Sequence, residues 1–316
     1  MRWAPSRSGS GSAFACDLGP HGSRTGFGGA DRAAYVKGMS IPHHTLNDGS
    51  ELPAVGFGTY PLNGAEGVEA IVSAIRNGYR LLDTAVNYGN EEEVGEAVRR
   101  SGVPREELWL TSKIPGRHHG YEDAVASTKE SLHRLGVDHL DLHLIHWPNP
   151  SVDRYPEAWR ALVDLQKQGL VRSIGVSNFT EAHLSRIIAD SGVTPAVNQV
   201  EMHPYFTQAG MRAVHERLGI RTEAWSPMGK RSAPFAEPAV AEAAERHGVT
   251  PGQVVVRWHV QLGSVPIPKS ATPQRQRQNL DVFGFELTDD EVAAISALDR
   301  PDGRLFDGDP DTHEEM

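Results

Sequence analysis

The chain has 316 residues, of which 39% are hydrophobic and 23% charged, and carries a formal net charge of -10. That acidity argues against nucleic acid or an anionic membrane surface as the main partner, and no stretch approaches the apolar length of a membrane span. The single cysteine, Cys16, cannot close an internal disulfide, which fits a reducing, cytoplasmic compartment.

Residues 1–38 are rich in Gly, Ser and Arg, show neither helical nor strand period, and are expected to form a disordered extension. No apolar core follows their basic start, so a secretory signal is not expected. Met39 stands immediately before the organised sequence and is a candidate start of translation. Residues 39–316 form the expected folded domain. The run HTLNDGSELPAVGFGTY predicts a small hairpin turning at Asp48-Gly49. A strand from Ala54 to Gly58 then leads into Thr59 and Tyr60.

From there strands and helices alternate. Val68, Ile71, Val72 and Ile75 share one helical face. A strand from Tyr79 to Leu82 ends on Asp83. After a loop carrying Tyr88, Asn90 and Glu93 have the spacing of a capping box, with Val94, Ala97 and Val98 following at helical intervals. Leu108 to Ser112 is a strand ending at Lys113, and Val125, Thr128, Leu132 and Leu135 mark the next helix. The strand from Leu140 to Ile145 ends at His146-Trp147, with Leu142, Leu144 and His146 on one face.

A helix near Trp159 to Gln166 precedes a strand from Ser173 to Val176, which ends at Ser177-Asn178. Leu184, Ile187 and Ile188 mark another helix. Strands from Ala196 to Val200, carrying Gln199, and from Ile220 to Ala224, ending at Trp225-Ser226-Pro227, come next. Helical segments near Val240 to His247 and Pro251 to Gln261 precede a last strand from Ser264 to Ile267. A helix opens after Thr272-Pro273, and another spans roughly Asp289 to Leu298. Eight strand-helix units make an α/β fold, most simply a (β/α)₈ TIM barrel with an N-terminal β-hairpin and extra helices before the eighth strand and near the C-terminus. An open doubly wound sheet would usually show a glycine-rich phosphate fingerprint after its first strand, and GFGTYPLNG is a poor match.

In a barrel the reacting groups sit at the carboxyl ends of the strands, where Asp83, Lys113, His146, Ser177-Asn178 and Lys269 fall. A phenol beside a cation donates a proton more readily. Lys113 can be that cation for Tyr88, Asp83 can neutralise a buried Lys113, and His146 can orient a carbonyl oxygen. Such a set suits protonation of a carbonyl while a second molecule delivers hydride. The helix opening at Thr272-Pro273 carries Lys269 just before it and Arg275 in its first turn. A helix start is a poor place for cations unless an anion sits there, and a phosphate is the natural one; with a hydride donor required, the 2′-phosphate of NADPH fits. Adjacent His118 and His119 lack a ligand pattern around them, and no metal is expected.

The motifs GFGTY, LLDTAVNYGNE, LTSKIP, DLHLIHWP, GVSNF, NQVEMHP, AWSP and IPKSATP, in this order, resemble those of the aldo-keto reductases. The likeness runs from about Ile41 to Asp311 and is strongest to bacterial members acting on small dicarbonyls such as 2,5-diketo-gluconate and methylglyoxal. The resemblance implies NADPH-dependent reduction of aldehydes, ketones or small dicarbonyls to alcohols, by a tetrad of Asp83, Tyr88, Lys113 and His146 with Tyr88 as general acid. It implies that Ser177, Asn178 and Gln199 hold the nicotinamide carboxamide and that Trp225 stacks on its ring. Lys269, Ser270 and Arg275 would hold the adenosine phosphate, and Gln278 and Asn279 the adenine. Gly58, Thr59, Tyr60, Asp83, Ser226, Pro227, Met228, Ala271 and Thr272 complete the implied cofactor contacts. Tyr60, Tyr88, His146 and Trp147, with the loop near His118, would shape the substrate pocket. Two positions depart from the family: Trp225 stands where Tyr is common, and Gln278 where Glu is common. A monomer is expected. The rival reading is a non-catalytic cofactor-binding or regulatory protein on the same scaffold.

Overall fold

The computed structural model describes residues 41–306 and 308–315. The expected extension at 1–38 and the candidate start at Met39 lie outside the described residues. Two short strands, β1 (His43–Thr45) and β2 (Glu51–Pro53), pair antiparallel as the expected hairpin. Its turn places Gly49 at φ 85°, a conformation that glycine adopts without steric cost. Leu46 and Leu52 of the hairpin pack with Leu81, Trp109, Val197 and Val265. Each of those four opens a barrel strand, so the hairpin covers the barrel's amino-terminal end.

Eight strands follow in parallel and in sequence order: β3 (Gly56–Gly58), β4 (Leu81–Asp83), β5 (Trp109–Ile114), β6 (Leu140–Ile145), β7 (Val171–Ser177), β8 (Val197–Glu201), β9 (Arg221–Trp225) and β10 (Val265–Pro266). The Gly58 amide donates to the Pro268 carbonyl at 3.1 Å and brings the two outermost strands together. A Cβ on Gly56 would fall inside the side chains of Ile267 and Leu81, which would have to shift to admit it. Helices α1 (Gly64–Arg76), α2 (Glu91–Ser101), α3 (Tyr121–Leu135), α4 (Tyr155–Lys167) and α5 (Glu181–Ser191) alternate with the strands. They are followed by α6 (Ala209–Leu218), α7 (Pro238–His247), α8 (Pro251–Gln261), α9 (Pro273–Leu280) and α10 (Asp289–Ser296). The predicted stripe of α1, Val68, Ile71, Val72 and Ile75, is buried against Phe57 and Leu82 of the sheet. Each fully buried aliphatic side chain of this kind contributes roughly 1.5–3 kcal/mol. Among the described residues no helix is long and apolar enough to cross a membrane.

Two readings are corrected. Helix α2 starts at Glu91, directly after Asn90, but the pair Asn90 and Glu93 forms no capping box. Asn90 instead accepts from the Thr84 hydroxyl at 2.7 Å and donates to the Thr59 and Leu62 carbonyls, tying the ends of β3 and β4 together. Glu93 accepts from the Gly64 amide at 2.9 Å, serving the start of α1. Helix α6 has no counterpart in the sequence reading. Met211, Val214 and Leu218 give its segment AGMRAVHERL a short apolar stripe packed on the core, but the residue before it, Gln208, sits at φ 55° rather than in the extended geometry of an ordinary cap.

Candidate active site

Strand β4 ends on Asp83 and β5 carries Lys113 one residue before its own end. Both point into the barrel, and Lys113 has no exposed surface. A buried ammonium demands full pairing. Lys113 Nζ donates to Asp83 Oδ1 at 2.7 Å and Oδ2 at 2.8 Å, to the Thr84 carbonyl at 2.9 Å, and to the Tyr88 hydroxyl at 3.3 Å. Burial alone would depress the lysine, but the Asp83 carboxylate and Tyr88 overcome it and push Lys113 up to about 12. It stays a cation.

Tyr88 sits in a 3₁₀ turn, Val86–Tyr88, between β4 and α2. Lys113 acts on the phenol in the expected, acidifying direction, but burial outweighs it. Burial of the hydroxyl raises its pKa, Lys113 offsets part of that rise, and the Asp83 carboxylate adds to it. The net direction is upward, so Tyr88 holds its proton. His146 follows β6, with its ring centroid 5.8 Å from that of Tyr88 in an edge-to-face arrangement.

Asp83, Tyr88 and His146 line a cavity of about 790 Å³, while Lys113 is not part of its lining. One wall is Gly58, Thr59 and the half-exposed ring of Tyr60; the other is Trp147, Asn178 and Gln199. A groove continues along Trp225, Ser226, Pro227 and Met228 to Lys269. The remaining expected contacts, Ser270, Ala271, Thr272, Arg275, Gln278 and Asn279, lie beyond that end of the cavity on the loop and on α9. Lys269 and Arg275 are both exposed and form no ion pair with the described residues; Arg275 donates only to Thr272 Oγ1, at 2.8 Å.

The expected carboxamide clamp is partly engaged within the protein. Ser177 Oγ donates to the Gln199 carbonyl at 2.8 Å and is fully buried. Asn178, at φ 62°, donates through Nδ2 to the His146 carbonyl and to Ser177 Oγ, and accepts from the Trp225 indole at 2.8 Å. Gln199 donates through Nε2 to Asp83 Oδ2 at 2.8 Å and to Glu223 Oε2 at 2.9 Å. Its amide oxygen accepts no hydrogen bond from the described residues and is free for a ligand in the cavity.

Several residues of the site escaped sequence reasoning. Glu223, in the middle of β9, is fully buried, and burial together with the Asp83 charge pushes it up to about 8. Lys230 and Arg231 line the groove, with the Lys230 ammonium 5.9 Å from the Trp225 ring centroid. The C-terminal segment returns to the site. Phe306 lines the cavity against Trp147 and Trp225. Glu315 Oε1 lies 2.8 Å from His146 Nδ1 and accepts from Asn87 Nδ2 at 2.8 Å. The loop near His118, expected at the pocket mouth, is not part of the lining; Phe306 and Trp147 form that wall. His119 is buried, and neither of its ring nitrogens has a partner among the described residues.

The sequence profile described as "Aldo/keto reductase family" matches residues 54–300. The chain belongs to the aldo/keto reductase family. A curated relative from Corynebacterium sp. (strain SHS752001), named 2,5-diketo-D-gluconic acid reductase B, is 63% identical over 277 residues, covering 88% of this chain and 99% of the relative. An aldo/keto reductase structure from Brucella melitensis is 45% identical and superposes with a TM-score of 0.79, covering 82% of this chain and all of the other. A mutant of Gox0644 in complex with NADPH is 43% identical, with a TM-score of 0.83 and coverage of 87% and 100%. This aldo/keto reductase is therefore an oxidoreductase, and Asp83, Lys113 and His146 come from the carboxyl ends of successive barrel strands, with Tyr88 from the turn after β4.

Proposed function

We propose that this aldo/keto reductase uses NADPH to reduce aldehydes, ketones or small dicarbonyls of the methylglyoxal or 2,5-diketo-gluconate type, with Tyr88 as the general acid. The observation that carries this reading is the chain Tyr88–Lys113–Asp83, whose two ends line a partly apolar cavity with His146 beside them. The name of the 63%-identical relative supports the dicarbonyl class.

The residues present fit the cofactor. Gln199 offers an unengaged amide oxygen to a carboxamide, Trp225 is locked by its indole hydrogen bond and presents a flat face, and the groove leads to Lys269. Lys269 and Arg275, both without an acidic partner, flank the start of α9, where an anion is favoured. Ser270 Oγ accepts from the Thr272 amide at 3.0 Å and holds that loop in shape. Bound NADPH would supply a hydride to the carbonyl carbon.

The protein's own groups do the rest. The carbonyl oxygen lies between the Tyr88 hydroxyl and His146. Tyr88 keeps its proton until the oxygen becomes alkoxide-like, then gives it up. Lys113, 3.3 Å away, stabilises the phenolate that forms, and Asp83 keeps Lys113 in place. Tyr60, Trp147 and Phe306 narrow the mouth around a small substrate.

A monomer in the cytoplasm fits this reading. Among the described residues the exposed large apolar side chains are Tyr60, Val152, Phe235 and Phe306, and two of these line the cavity. The deciding experiment is NADPH oxidation against methylglyoxal, phenylglyoxal and 2,5-diketo-gluconate, with NADH in parallel. Turnover of at least one carbonyl, faster with NADPH, is expected. Tight NADPH binding without turnover across the panel would favour the non-catalytic reading.

A further inference from the structure

Glu223 is a carboxyl group that the proposed proton transfer does not use, yet it touches the site through one amide. Gln199 and Glu223 are partners in the parallel register of β8 and β9, and both are buried. Gln199 Nε2 spends its two N–H groups on Asp83 Oδ2, at 2.8 Å, and Glu223 Oε2, at 2.9 Å. Asp83 alone would hold the amide by a single hydrogen bond. Turning the amide over would lose that charge-assisted bond and set its oxygen against the Asp83 carboxylate, and a second bond raises the cost further. Asp83, which can only accept, turns the nitrogen end inward, and Glu223 Oε2 holds that end a second time, so the oxygen end faces the cavity.

We propose that Glu223 is a positioning residue that orients the Gln199 amide so that its oxygen, and not its nitrogen, is presented to the carboxamide of a bound nicotinamide. This rests on the reading of NADPH as the cofactor. The carboxamide nitrogen is a donor and needs an acceptor in the wall. Glu223 suits the task because burial raises its pKa to about 8, so it is a neutral acid at pH 7. Its carbonyl oxygen accepts from Gln199 without placing a second negative charge beside Asp83 and Lys113. The proton is then carried by Oε1, which has no partner among the described residues.

Three variants and two ligands test this. Glu223→Met fills the same space without a strong acceptor, Glu223→Gln keeps an acceptor oxygen, and Glu223→Asp withdraws the carboxyl by one methylene. The two ligands are NADPH and 2′,5′-ADP, which shares the adenosine phosphate end but has no nicotinamide. Glu223→Met is expected to weaken NADPH about tenfold while leaving 2′,5′-ADP within about twofold of the parent. Glu223→Gln is expected to restore NADPH to within about threefold of the parent. Should Glu223→Met not fold, Glu223→Asp must give the same split between the two ligands. Unchanged NADPH affinity in the Met or Asp variant would overturn the proposal, as would equal weakening of both ligands, which would mark Glu223 as purely structural. If the parent chain itself binds 2′,5′-ADP but not NADPH, the cofactor reading fails first, and this inference with it.

Discussion

Replacing Asp83 by Asn keeps the shape of the side chain and removes the charge that neutralises Lys113. The ammonium has no exposed surface and rests on both Asp83 oxygens at 2.7 and 2.8 Å. Breaking a buried pair by removing one partner costs about 3–5 kcal/mol, because the other charge is left uncompensated. For a domain of this size that lowers the melting temperature by about 6–20 °C. The value should fall near the lower end. Glu223 is one amide away, and the Asp83 charge helps keep it protonated. Without that charge Glu223 ionises more easily and supplies part of the missing negative charge. Adding Glu223→Gln to Asp83→Asn should therefore move the loss toward the upper end. The double variant Asp83→Asn/Lys113→Met removes both charges and should be more stable than Asp83→Asn alone, while turnover stays lost. Chemical denaturation of the parent and these three variants, with NADPH oxidation measured alongside, compares the losses directly. A loss below about 1 kcal/mol for Asp83→Asn, or no recovery in the double variant, would refute the idea that Lys113 depends on a buried counter-charge.

Tyr88→Phe should leave NADPH affinity near the parent value and lower carbonyl turnover by about 10²–10⁴, the usual contribution of a positioned acid; turnover within a few-fold of the parent would remove Tyr88 from that role. Arg275→Ala should weaken NADPH about tenfold or more and barely affect NADH, since a charge-assisted bond to phosphate contributes roughly 1.5–3 kcal/mol; equal loss for both cofactors would make Arg275 structural. Burial pulls His143 and His259 down to about 3 and His119 and His215 down to about 4. Each is then neutral when folded but protonated when unfolded below pH 6.5, so its stabilisation is full above 6.5 and lost as pH falls toward 3–4. Glu223, raised to about 8, works the opposite way between its unfolded value of 4.5 and 8, but is outnumbered. Urea midpoints should thus fall from pH 7 to pH 5; a flat profile would mean that the histidines are charged in the folded state.

How far the sequence carried the reader depends on whether a residue's partner lies along the chain or across it. Asp83, Lys113 and His146 were legible because each lies at or beside the end of an apolar strand, and the ends of parallel strands converge in a barrel. The α1 stripe was legible because its period is local. Asn90 misled because the spacing Asn-x-x-Glu has a local meaning, which lost to contacts with Thr59, Leu62 and Thr84 from other loops. The upward shift of Tyr88 was illegible for a related reason. Proximity to Lys113 follows from strand order, but desolvation depends on what covers the hydroxyl, and strand order does not fix that. Glu315 reaches His146 from 169 positions away, with no periodic signal to announce it. Glu223 is the most instructive miss. In TEAW the acid stands between Thr222 and Ala224 and shares a parity with Trp225. Trp225 lines the cavity, so the same alternation that turns its ring inward also turns the Glu223 carboxyl into the barrel. A charge on the inward parity of a strand buried on both faces needs a partner, and the register of β8 against β9 supplies Gln199.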